Sequence, residues 1–138
     1  MGVELELQKA VLARLTGDSA LMATLTAVTD RQRPVADGGA AAGFPYLHAT
    51  IFLDEWDTDD TEGFEALIRV HTWSRSGSYA ETKSVQGRLY ELLHRVTDLT
   101  VAGHHLILIR RESSWAETDP DGITIHGVCE YRALLDAA

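Results

Sequence analysis

The stretch from Phe64 to His94, FEALIRVHTWSRSGSYAETKSVQGRLYELLH, sets the tightest limits on what this chain can fold into. Phe64–Trp73 reads as a strand, a Ser/Gly turn follows it, and an amphipathic helix begins at once, from about Ser78 to Val96. Val85, Leu89, Leu92 and Val96 stand four, three and four residues apart and form a single apolar stripe. A strand that hands over directly to a helix with one apolar face predicts a sheet with a helix laid on it.

The rest of the chain supplies the partners. Leu5–Leu15 predicts a first helix, with Leu7, Val11 and Leu15 on one face and the acids Glu4 and Glu6 near its positive end. Thr16-Gly17 ends it, and Asp18 or Ser19 caps a short second helix through Leu25. Residues 29–44, with Pro34, glycines and an alanine run, read as a long loop. Tyr46–Leu53 alternates as a strand, with Leu47, Ala49, Ile51 and Leu53 on one face. It pairs with Phe64–Trp73 across an acidic loop, Asp54–Glu62. Leu106–Trp115 and Ile123–Leu135 form a second hairpin around Asp119-Pro120-Asp121-Gly122. The predicted fold is therefore α+β: a four-stranded, mainly antiparallel sheet in ααββαββ order, packed on one face by helices. Residues 1–138 are read as one domain, and Trp73 is expected to be buried between sheet and helix.

Composition narrows the function. The net charge of −9 argues against binding nucleic acid over a broad surface, which needs clustered Lys and Arg. The single cysteine, Cys129, excludes an internal disulfide and fits a reducing compartment. No run of ~18 apolar residues is present, and Glu4 and Glu6 stand where a signal peptide would be basic.

No constellation for catalysis emerges. His104 and His105 are adjacent, so on a strand they point to opposite faces, and His71 and His126 lack a third ligand at zinc-like spacing. The acids of 54–62 do not follow the EF-hand order, which requires glycine at its sixth position and glutamate at its twelfth. There is no Gly-x-Ser-x-Gly elbow and no phosphate loop after Gly38-Gly39. The expectation is no enzyme, no metal and no cofactor.

Several segments in order carry a family likeness: an N-terminal helix followed by Asp18-Ser19-Ala20-Leu21; Phe44-Pro45-Tyr46 opening a strand; Val70-His71-Thr72-Trp73-Ser74-Arg75 leading into a helix; Asp121-Gly122 before Ile125-His126-Gly127-Val128. Across nearly the whole chain this pattern resembles the tail completion, or tail terminator, proteins of long-tailed bacteriophages and of gene transfer agents. Family members often carry a clearer short strand and a Pro-rich link where this chain has Arg31–Gly43. The resemblance implies a structural virion protein. It would form a homo-hexameric ring that caps the head-proximal end of the tail tube, stops tube growth and joins the tail to the head connector. Its partners would be its own copies, the tail tube protein and a connector or neck protein. There would be no membrane partner, and DNA would only pass through the lumen, which an acidic lining would keep free of sticking. It would reside in the tail neck of the virion, after assembly in the bacterial cytoplasm. The interface is expected on Trp56, Asp57, Asp59 and Asp60 of one projection and Arg110, Arg111 and Trp115 of another, because their charges differ and each carries a tryptophan. Two rival readings are another head–tail joining protein and a non-viral small α+β binding domain.

Overall fold

The structure, a computed structural model, describes residues 2–33, 43–57 and 62–137; the side chains of Trp56, Asp57 and Glu62 are not among the described ones. Most of the predicted 29–44 loop (34–42) and the centre of the acidic loop (58–61) lie outside the described residues. In chain order the elements are α1 (Val3–Thr16), α2 (Ser19–Thr24), β1 (Ala27–Thr29), β2 (Tyr46–Asp57), β3 (Glu62–Ser74), α3 (Ala80–Leu93), β4 (His104–Thr118) and β5 (Ile125–Ala137).

The sheet corrects the sequence expectation. It has five strands in the order β1-β2-β3-β5-β4, not four, and the element order is ααβββαββ. The added strand, β1, runs parallel to β2 with Ala27–Thr29 beside Tyr46–His48, so the sheet is mixed. Three residues are too few to show alternation in a sequence. Pairing makes this strand: the Thr26 N–H donates to the Pro45 carbonyl at 2.8 Å, and Val28 packs against the core.

One face of the sheet carries the helices. Leu7, Val11 and Leu15 of α1 and Val85, Leu89 and Leu92 of α3 lie over Leu47, Ala49, Ile68, Val70, Cys129 and Tyr131, all buried. Burial of each large apolar side chain contributes about 1.5–3 kcal/mol relative to exposure. α3 packs tightly on Gly127, where an added Cβ would collide with the Thr82 methyl and meet Gln86 Nε2 at 2.8 Å. The helices are tied together at their ends. Asp18 caps α2 by accepting from the Leu21 N–H (2.9 Å) and also accepts from Arg88 Nε of α3 at 2.8 Å. The Arg88 guanidinium holds the Asp18 carboxyl down at about 2.

The strands run longer than predicted. Asp54–Asp57 continue β2, pairing with Glu62–Glu65, so the described part of the acidic segment is strand. Cross-strand hydrogen bonding outweighs the low strand propensity of Asp and Glu. The register also separates the two hairpins. The β2–β3 tip lies at the Asp136 end of the sheet, whereas the β4–β5 tip lies at the Ser74 end. Strands of 12–13 residues put these tips on the order of 40 Å apart.

Candidate assembly surfaces

The face of the sheet away from the helices is built from the alternate residues of each strand. The pairings set Tyr46, Trp73, His126 and Glu117 in one row and His48, His71, Val128 and Trp115 in the next. Trp73 is buried, as expected, but on this face and not between sheet and helix. The reason is parity: Val70 and Thr72 point to the helices, so residues 71 and 73 cannot. The Trp73 ring stacks on His126 at 3.8 Å and its Nε1–H donates to His48 Nδ1 at 3.1 Å. His48 in turn stacks on His71 at 4.3 Å, and His71 Nδ1 lies 2.8 Å from His126 Nε2. Burial favours the neutral rings, holding His48 and His71 down at about 4 and lowering His126. These three histidines are a structural aromatic cluster. Among the described residues no group of three or more His, Cys, Asp or Glu side chains is placed to hold a metal.

Below that cluster the face carries a charge ladder. Arg69 donates twice to Glu130 Oε2 (3.0 and 2.8 Å), and Glu130 accepts from Ser113 Oγ at 2.8 Å. Arg132 bridges Glu65 and Glu112, the latter at 2.6 Å. Arg110 reaches Glu112 at 3.5 Å.

The interface residues expected from the sequence part company here. Arg110 is exposed on the helix-free face, while Arg111 turns toward α3 and lies over the Tyr90 ring at 4.4 Å. Trp115 stays 43% exposed on the helix-free face, despite its place in a strand. Trp56 and Asp57 belong to β2, and Asp59 and Asp60 lie outside the described residues. What sequence reasoning missed is Arg75. Its side chain is 2% exposed; its Nε donates to Thr124 Oγ1 at 3.0 Å, and its guanidinium lies 3.7 Å from Asp121 and 4.5 Å from the Phe44 ring centroid. It joins the β4–β5 tip to the strand-to-helix turn. Asp121, held at about 2 chiefly by its hydrogen bonds to Thr124, also caps the Ile123 and Thr124 N–H groups.

The clefts of the molecule are shallow in chemistry. An open one of about 520 Å³ between α1 and the α3–β4 connection contains Arg14, whose Nε donates to the Leu92 carbonyl and whose Nη1 donates to Asp98, both at 3.0 Å. Its cation already serves to fasten α1 to that connection.

The model of the family described as tail completion protein gp17 matches residues 9–136. The chain belongs to that family. A chain of the "Virion of native gene transfer agent (GTA) particle" has the same fold, with a TM-score of 0.84 over 99% of this chain and 98% of that one at 19% identity. A search of curated proteins gives no match. As a tail completion protein the chain is a structural virion component, not an enzyme, and it acts where tail and head are joined. The family explains why its conspicuous features are surfaces, tips and edges.

Proposed function

We propose that this tail completion protein forms a ring, of six copies, on the head-proximal end of the tail tube, where it ends tube growth and receives the head connector. The observation that carries this reading is the placement of the two hairpin tips at opposite ends of one rigid sheet. A subunit built this way can touch the tube with one end and the connector with the other while its flanks meet its neighbours. Head-to-tail contacts that close by rotation need two unlike surfaces on each copy. The acidic 54–62 segment and the 110–122 hairpin, with Arg110 and Trp115 exposed, supply the two unlike ends, and the two sheet edges supply the unlike flanks. Assembly takes place in the bacterial cytoplasm, the finished ring sits in the tail neck, and DNA only passes through its lumen.

Asp59→Arg and Arg110→Asp test the two surfaces. Each change should lower the yield of tails of correct length joined to heads. Normal yields from both variants would remove these residues from the interface. Normal particles after complete deletion of the protein would remove the function itself.

A further inference from the structure

The chain treats the two edges of its sheet unequally. The outward side of β4 is closed by α3 and the residues after it. The Arg95 N–H donates to the Ile109 carbonyl (2.8 Å), the Arg111 N–H donates to His94 Nδ1 (3.0 Å), and Gln86 Nε2 donates to the Trp115 carbonyl (2.8 Å). Only the start of β4, His104–Leu108, lies before these closures. On the other edge β1 covers β2 over Tyr46–His48 alone. The Pro45 carbonyl accepts from Thr26 on that side, so alternation turns the backbone groups of Ile51, Leu53 and Glu55 the same way. Among the described residues no backbone group meets them. Exposed edges of this kind are usually covered, charged or proline-blocked, because they recruit strands.

We infer that the open edge of β2 pairs, through its Asp54–Glu55 end, with the start of β4, His104–Leu108, of a neighbouring copy in an antiparallel ladder. This rests on the ring reading above and names its contact. Strand direction supports it. β2 and β4 run in opposite directions within the sheet, and a rotation about an axis along the strands preserves direction, so the neighbour's β4 arrives antiparallel to β2. Height supports it too. Through the intervening strands Asp54 is level with Leu108 and Glu55 with Leu106, so a flat ring brings this end of the open β2 stretch beside the open start of β4 without axial shift. The side chains are compatible: His104–Leu108 contains two histidines and no acid, opposite Asp54 and Glu55. The contact would also cover Phe52 and Ile107, which are 52% and 54% exposed. The ladder is short because β1 closes one end of the β2 edge and the α3 terminus closes β4 from Ile109 onward.

The test is a cysteine pair, Glu55→Cys with Ile107→Cys, in the full-length protein on assembled tails. Paired strands bring Cα atoms within disulfide range. Mild oxidation should give a ladder of cross-linked species up to the closed ring on denaturing gels, with neither single variant giving more than traces. A second variant, Glu55→Pro, removes one outward N–H and leaves the β2–β3 ladder intact. It should keep the melting temperature of the parent and fail to form rings. Rings visible on tail ends without cross-links would overturn the edge pairing and leave the ring reading standing, as would rings formed normally by a folded Glu55→Pro. Cross-linking to the tail tube protein in place of self would also overturn it. Tails with no ring at all would overturn both readings.

Discussion

At the scale of single residues, two positions carry consequences that only the packing reveals. Gly127 lies on the helix side of β5, beneath Thr82 and Gln86. Gly127→Ala must displace α3 or force Thr82 off its rotamer, so it should destabilise the fold by roughly 1–3 kcal/mol, as overpacking does. Chemical denaturation checks this; an unchanged midpoint would mean the helix yields freely. His48 is the other. It accepts from the Trp73 N–H and is kept neutral by burial down to about 4, whereas an unfolded histidine titrates near ~6.5. Both states are neutral above that value. As pH falls below it, the unfolded chain takes up a proton that the folded ring refuses, so stability declines until about pH 4, by up to about 3 kcal/mol for this one group. His71 adds in the same direction. The charged and titratable groups acting on the cluster are His126 on His48, His48, His126, Arg69 and Glu130 on His71, and Asp119 and Glu117 on His126. Thermal melts between pH 7 and 4.5 should show this fall, and His48→Gln, which can still accept from Trp73, should flatten it. Parallel profiles would place the acid sensitivity elsewhere. The roles of Gly127 and His48 were not legible in the sequence, because a glycine or a histidine in a strand says nothing about what packs on it.

Among the elements, α3 does most to define the molecule. Its stripe packs Val85, Leu89 and Leu92 on the sheet, and its last residue, Leu93, is followed by His94 and by Arg95, which adopts a left-handed conformation (φ 55°). That turn lets both residues hydrogen-bond the outer side of β4. Leu89→Ala leaves a cavity under the helix and should cost roughly 2–5 kcal/mol in a denaturation measurement. A shift no larger than that of an exposed substitution would show that the helix contributes little to the core. Helices α1 and α3 and the two long hairpins were readable from spacing alone, since their apolar residues recur over many positions. β1 was not, and neither was the extension of β2 through Asp54–Asp57. The first is shorter than any pattern, and the second is acidic and takes its strand form from its partner.

For the whole molecule, the proposed ring contact lies between copies and involves the acidic end of β2. If an acidic β2–β3 arm meets β4 of a neighbour near its exposed Arg110, raising the salt concentration should weaken the association, because screening acts on exposed charges over ~10 Å at 0.1 M. Co-sedimentation of the protein with tail tubes between 0.05 and 0.5 M salt, round figures that span roughly a threefold change in screening length, should show bound protein falling. A flat response would point to an apolar contact centred on Phe52 and Ile107. Spacing along the chain was enough to read the helix faces, the two hairpins and, through its ordered motifs, the likeness to the tail completion family. Those features are local or repeat along the chain, where period and turn chemistry record them. The tertiary structure alone decided the fifth strand, the side of the sheet on which Trp73 lies, the divergence of Arg110 from Arg111, and which sheet edge stays open. Each of these is a matter of which segments meet across the fold. Pairing partners set them, and a linear sequence does not state its partners.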